Sequence, residues 1–312
     1  MPPKGAEDLA LNLMIALTQI HVGIGRAPGA VDLPIARDAF GLPYIPASSI
    51  KGTIKSACIR TFNCSRENAK ECPCLQIYGR DPRLEDEVSS ENSYLSPVNF
   101  TDAFLLLFPV RVDSPKEGLR YGYVTSMFSL NKFATQILPF LSKEGKEWNL
   151  KCWVEDSEFS GYLNDVYIGE VRGTLRLSEV PYINAILERL DVPIVKYLLQ
   201  RGDIYVLKDN DFKEVVEAGI VRQTRVRLDF VRKTVQRGAL WTEEYLPEGA
   251  VFSFLTVTKT VLARNVIVEA SRAMNDHEEV LRENLFTFEI GGKETIGKGM
   301  VRVVEGPRVC CL

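Results

Sequence analysis

Two stretches of this chain concentrate the side chains that could do chemistry. His21 stands just before a loop that holds Gly23, Gly25, Pro28 and Gly29 and runs on to Asp32. Those glycines let the backbone take positive φ values and approach a ligand without a Cβ in the way. His21 is one of 2 histidines, and two readings of it stand open. It is either hydrogen-bonded structure at a strand-to-loop junction or a group that moves protons near neutral pH. The same stretch ends in Ser48-Ser49-Ile50-Lys51-Gly52, where small hydroxyls and a lysine open a helix, a geometry that can hold an anion, and Lys55 follows one turn later. Gly52 weakens that helix by about 1 kcal/mol against alanine, which suggests a backbone or phosphate passing close.

The second stretch is basic. Between Arg222 and Arg237 lie Arg222, Arg225, Arg227, Arg232, Lys233 and Arg237 against one acid, Asp229. Such a run is either a solvated face or a ribbon edge that grips a phosphate backbone. Alternation in TRVRLDF and in VFSFLTVT predicts the two strands of that ribbon, with 231–249 as a long tip carrying Trp241, Glu243, Glu244 and Tyr245. Near the end, Gly291, Gly292, Gly297 and Gly299 with Lys293 and Lys298 form a cationic loop between two strands. No helix follows it, and its spacing fits neither the Walker A pattern nor the dinucleotide fingerprint. It suits an RNA backbone lying against Gly297, Lys298 and Gly299.

Cys58, Cys64, Cys72 and Cys74 fall in the pattern C-x5-C-x7-C-x-C, without the paired C-x2-C knuckles usual in zinc ribbons. Three readings stand: a structural Zn2+ stapling the following insertion to the first helix, buried free cysteines, or disulfides. The odd total of 7 cysteines argues against a secreted disulfide framework.

The elements that must position these groups can be sketched. Residues 9–20 are mostly apolar and predict a buried strand; 48–62 place Ile50, Ile54, Ala57 and Cys58 on one helix face. Residues 98–112 form a second core strand, 125–141 are helical in period, and 150–209 mix short strands with helices over YINAILERL and VPIVKYLL. DNDFKEVVEAG and 264–285 supply further helices, and the chain closes strand, glycine loop, strand. Residues 63–96 are polar and read as a surface insertion. With 46% hydrophobic residues and a net charge of −3, the chain is an ordinary globular protein and no global charge steers it to polyanions. No apolar run long enough to span a bilayer and no signal-peptide pattern occurs, so a cytoplasmic location without membrane contact is expected.

These blocks, from HVGIGRAPGAVDLPIARDAFGLPYIPASSIKG through VNFTDAFLLLFPVR and RQTRVRLDFVRKTVQRGALWTEEYLPEGAVF to GGKETIGKGMV, resemble the RAMP superfamily of CRISPR proteins. More narrowly they resemble the repeated backbone subunit of the type III-B (Cmr) effector complex. The resemblance implies an α+β fold: an RRM-like (ferredoxin-like) palm with a β-hairpin thumb and helical insertions in one domain, 1–312. The palm core would span about 8–62, 97–141 and 250–304, with insertions at 63–96 and 142–209 and the thumb at about 220–250. It implies stacking of copies along a guide RNA beside other Cmr subunits, and cleavage of complementary target RNA at regular intervals.

By the same resemblance Asp32 is the catalytic position, with His21, Glu243 and Tyr245 in support. The turn of Ser48, Ser49, Lys51 and Gly52 would hold guide phosphates; Lys55 beside it and Arg222, Arg225 and Arg227 of the basic run are further candidates for RNA, read from the residues themselves. A free aspartate titrates near 3.9 and is a poor base at neutral pH, so Asp32 would anchor Mg2+ or Mn2+ or be tuned by burial. The alternative for Asp32 is a turn or cap in a glycine-rich loop, and for Glu243 and Tyr245 an exposed hairpin pair. The alternative function is a non-catalytic RNA-binding subunit of the same complex.

Overall fold

The computed structural model describes residues 8–27, 29–84, 95–114, 118–141, 163–168, 171–176, 200, 203–229, 231–232, 234–263 and 266–310. Its centre is β1 (Asp8–Ala16), whose sequence DLALNLMIA is buried along nearly its whole length. A strand this apolar needs partners on both edges and cover on both faces. Its edges are taken by two antiparallel neighbours, β11 (Val251–Thr258) and β15 (Met300–Cys310). Leu11 and Leu13 are almost fully buried, so truncating either to alanine costs about 2–5 kcal/mol.

The remaining strands are β2 (Tyr44–Ile45), β3 (Val98–Phe100), β4 (Ala103–Ser114), β5 (Gly118–Ser126), β6 (Leu163–Ile168), β7 (Val171–Arg176), β8 (Ile204–Leu207), β9 (Val221–Leu228), β10 (Val235–Tyr245), β12 (Val261–Ala263), β13 (Val266–Val268) and β14 (Thr287–Glu289). One large sheet runs β14-β15-β1-β11-β4-β5-β8-β7-β6, while β9 and β10 form a separate antiparallel ribbon. The expected ribbon partner is thereby corrected: VFSFLTVT is β11, a core strand beside β1, and the ribbon pairs β9 with β10. Despite its alternating sequence this strand is buried on both faces along most of its length. The predicted strand over 98–112 is two strands, with Thr101 and Asp102 between them.

Five helices are described: α1 (Ala47–Thr61), α2 (Pro73–Tyr78), α3 (Met127–Leu141), α4 (Asp209–Gly219) and α5 (Ala270–Glu283). α1 buries the predicted Ile50, Ile54, Ala57 and Cys58, one face of a 3.6-residue period. Its start is set by Pro46, whose carbonyl accepts from the Ser49 and Ile50 amides; Ser48 and Ser49 lie inside the first turn, and the first amide, that of Ala47, donates to Asp102 Oδ1 at 2.7 Å. α5 buries Ala270, Ala273, Met274, His277, Val280 and Leu281 on one stripe. No described helix is long and apolar enough to cross a membrane.

The segment after α1 is less superficial than its polar composition predicts. Cys72, Cys74, Leu75, Ile77 and Tyr78 are buried, and α2 packs on α1 and α5. Tyr78 shares a hydrogen bond of 2.7 Å with His277 Nδ1, and burial pulls the His277 pKa down to about 3, so the ring is neutral. The predicted helices over YINAILERL and VPIVKYLL, and most of the expected insertion 142–209, lie outside the described residues; its described part supplies β6, β7 and β8.

Candidate nucleic-acid interface and active site

Beyond β1 the chain makes single bridges instead of a ladder. Ile20 pairs with Leu246, His21 with Gly292, Gly23 with Ile35, and Leu33 runs parallel to Glu243. The His21 loop therefore lies between the end of β10 and the glycine-rich loop 291–299. Gly291 permits this: its φ is +83°, and a Cβ there would sit 2.3 Å from the His21 carbonyl oxygen. Gly23 likewise leaves room for the imidazole, since its Cβ would lie 2.7 Å from Nε2.

Three residues of β10 organise the seam. The Thr242 amide donates to Asp32 Oδ2 at 2.8 Å, and the Glu244 carbonyl oxygen lies 2.7 Å from His21 Nδ1. A carbonyl only accepts, so Nδ1 carries the proton and Nε2 is the nitrogen that can take another. Asp32 and His21 are thus held two residues apart along one strand, roughly 7 Å of extended backbone. Asp32 is exposed and His21 nearly buried.

Between them Glu243 is fully buried. Its Oε1 accepts from Trp241 Nε1 at 2.6 Å and Lys293 Nζ at 2.5 Å, and Oε2 accepts from the Tyr245 hydroxyl. Burial raises this carboxyl's pKa, but the Lys293, Trp241 and Tyr245 donors outweigh it and hold it at about 2. Burial and the Glu243 carboxylate together push Tyr245 up to about 12. The Tyr245 ring lies 5.5 Å from that of His21 and under Lys298 Nζ at 5.2 Å. Glu243 and Tyr245 are therefore not the exposed hairpin pair of the alternative reading; they are internal struts of the seam.

Glu244 is the second buried acid. It accepts from Arg37 at 2.8 and 3.1 Å, from Arg222 Nε at 3.3 Å and from the Ile35 amide at 3.3 Å. Its pKa is raised by burial and lowered further by Arg37, with a net downward shift. Arg37 and Arg222 also meet Glu217 of α4. Arg222, predicted to face RNA, is exposed and also pairs with Glu217 and Glu244, whereas Arg225 is half-exposed and Arg227 exposed on β9.

The other predicted phosphate groups divide in the same way. Ser48 and Gly52 are exposed, and a Cβ at Gly52 would meet nothing within 4 Å, so no protein contact accounts for the glycine. Ser49 and Lys51 are half-buried, and burial together with Lys55 lowers the Lys51 pKa. Lys55 is turned away from the helix start, to the Arg80 carbonyl and Asp81 at 3.4 Å. The α1 face touches the glycine loop's root, where Thr53 Oγ1 donates to the Glu289 carbonyl at 3.2 Å. Gly297 is open, Lys298 donates to Gln19 at 2.5 Å, and Gly299 is required by the Ile290 carbonyl at 2.3 Å from its Cβ position.

Sequence reasoning missed Arg37, Thr242 and the pairing of Lys293 with Glu243. Lys293 was visible only as one cation of a loop; Arg37 carries no local signal, and Thr242 acts through its backbone. The four cysteines pair as Cys58–Cys74 and Cys64–Cys72 in this structure, which selects the disulfide reading for the state described.

A family model for the RAMP superfamily matches residues 14–302. The chain is 30% identical to the CRISPR system CMR subunit Cmr4 of Saccharolobus solfataricus, over 92% of this chain and 93% of that protein. It is 27% identical to the CRISPR system Cmr endoribonuclease Cmr4 of Pyrococcus furiosus, covering 93% of each. Among solved structures, a subunit of the type III-B Cmr-beta complex bound to cognate target RNA superposes with a TM-score of 0.70 at 25% identity, covering 97% of this chain and 98% of that one.

Proposed function

This chain belongs to the RAMP superfamily, and from that premise we infer that it is the repeated backbone subunit of a type III-B CRISPR effector complex, which binds guide RNA and cuts the complementary target RNA at regular intervals. Its partners in this reading are guide and target RNA, further copies of itself and the other Cmr subunits. The observation that carries the nuclease assignment is the β10 segment Thr242–Glu244, which holds the exposed Asp32 carboxylate and the His21 imidazole side by side. The large sheet would be the RRM-like palm and the β9–β10 ribbon its thumb.

RNA breaks when its 2′-hydroxyl attacks the adjacent phosphate, which calls for a proton acceptor, compensation of the phosphorane charge and a proton for the leaving oxygen. His21 Nε2 is assigned the proton transfer, its tautomer fixed by the Glu244 carbonyl. Asp32 offers one solvent-facing carboxylate, which fits a single ligand to a largely hydrated Mg2+ or Mn2+; such an ion would supply charge compensation when bound. Glu243 and Tyr245 are buried away from any substrate and act through others: Glu243 anchors Lys293 of the glycine loop, and Tyr245 packs on His21. Ser48, Ser49, Lys51 and Gly52, with Arg225, Arg227, Gly297 and Lys298, are the groups available to RNA phosphates. Lys55 and Gly299 support the surface from within, and Arg222, which is exposed, also pairs with Glu217 and Glu244.

The test uses the assembled complex with guide RNA and end-labelled complementary RNA. Evenly spaced cuts are expected, reduced at least about 100-fold in Asp32→Asn, the lower end of what one such group contributes, while target binding is retained. Unchanged cutting by that variant would leave a scaffold without an active site in this chain.

A further inference from the structure

The four cysteines take no part in the Asp32 seam. Three segments bring them together: Cys58 from the last turns of α1, Cys64 from the turn after it, and Cys72 and Cys74 at the start of α2. Cys58, Cys72 and Cys74 are buried and Cys64 is half-exposed, giving the group a dry interior and one open side. The pairing in two disulfides does not by itself require the two bridges to touch. Yet Cys64 Sγ and Cys74 Sγ, which belong to different bridges, lie 3.8 Å apart. The sulfurs of Cys64, Cys72 and Cys74 all lie within 4.8 Å of one another, and Cys58 is bonded to Cys74.

Four sulfurs around Zn2+ at about 2.3 Å define a tetrahedron whose edge is about 3.8 Å. One pair of sulfurs across the two bridges, Cys64 and Cys74, already stands at that separation. We propose that Cys58, Cys64, Cys72 and Cys74 are the thiolate ligands of one structural Zn2+ ion in the reduced chain, and that the two disulfides are the oxidised, metal-free form of the same site. Either form ties the α2 segment to the end of α1, so the fold of this corner survives the exchange. The irregular spacing in sequence is no obstacle, because the fold and not a local knuckle brings the sulfurs together.

The interconversion balances. Two equivalents of a dithiol reductant deliver four electrons and four protons, opening both bridges to four thiols and ending as disulfides themselves. Zn2+ then displaces the four thiol protons to solvent. In the other direction diamide takes up the four electrons with four protons from water, both bridges re-form and Zn2+ leaves.

The full chain, reduced with dithiothreitol and desalted without oxygen, is titrated with Co2+ as a spectroscopic probe and then with Zn2+. One Co2+ per chain is expected, with the thiolate charge-transfer bands of a tetrahedral four-sulfur site, displaced by Zn2+ and discharged by diamide with loss of four titratable thiols. In Cys72→Ser the affinity falls more than about tenfold, at least the loss that removing a ligand's supporting partner causes; Cys310→Ser/Cys311→Ser leaves it unchanged. A reduced wild-type chain that titrates its thiols but takes up no metal overturns the proposal, as does stoichiometric uptake that survives in Cys72→Ser. The first outcome needs no variant, so a Cys72→Ser chain that fails to fold does not shield the idea.

Discussion

The two ends of the β9–β10 ribbon are built from opposite chemistry. At the base, Glu243 and Glu244 are buried yet satisfied: one by Trp241, Tyr245 and Lys293, the other by Arg37, Arg222 and the Ile35 amide. At the far end Leu228, Val231, Val235 and Leu240 are 51–86% exposed, and Arg227 and Arg232 stand among them. The base spends its charges on its own chain, and the tip keeps apolar and cationic side chains outside it. Buried charge is tolerated only when paired, so the base must be rigid. An exposed tip has no such constraint, and what it contributes to function has to come from something outside this chain.

The largest effect that separates the ends is on stability. Glu243→Ala leaves the Lys293 ammonium, the Trp241 indole and the Tyr245 hydroxyl without their acceptor, and breaking such a buried pair costs about 3–5 kcal/mol. Val235→Ser with Leu240→Ser is expected to stay within about 0.5 kcal/mol for each change. Urea denaturation of the free chain reads both. If the tip variant were the costlier, the division drawn between the ends would be wrong.

Acid sharpens the same contrast. Glu243 is held at about 2 against an ordinary 4.5, so its ionised form is stabilised by folding. A depressed carboxyl contributes its full share above about 4.5 and loses it as the pH falls towards 2. The stability gap between the wild type and Glu243→Gln is therefore expected to stay level from pH 7 to pH 5 and then narrow by about 3 kcal/mol. The tip variant tracks the wild type throughout. A gap that already closes above pH 5 would mean that Lys293 does not hold the carboxylate.

How far these features could be read from sequence follows the range of the interaction that makes them. β1, the buried face of α1 and the closing strand-loop-strand were legible because each is set by apolar period or glycine placement within its own segment. The base of the ribbon was not. Whether a glutamate is exposed or buried depends here on a lysine 50 residues later in the chain, and no local pattern encodes that pairing. β11 was mistaken for a ribbon strand because burial on both faces hides which neighbour it takes. Residues 63–84 looked superficial because their large buried apolar members, among them Cys72, Cys74, Leu75, Ile77 and Tyr78, are set among charges.

The smallest effect tests the tip by itself. Arg227 is exposed on β9 and meets no carboxylate among the described residues. Replacing it by alanine should leave stability within about 0.5 kcal/mol, since it removes no buried contact. If it meets a phosphate, the assembled particle should lose about one unit from the slope of log affinity against log salt, with weakening that is the same for unrelated guide sequences. Arg222→Ala should behave differently: it removes a cation from Glu244 and so lowers stability first, with RNA affinity following as the base loosens. Filter binding over a salt series, run beside denaturation of the free chain, separates the two arginines. Equal stability losses for both would show that the pairing of Arg222 with Glu244 and Glu217 says nothing about which cations are left for RNA.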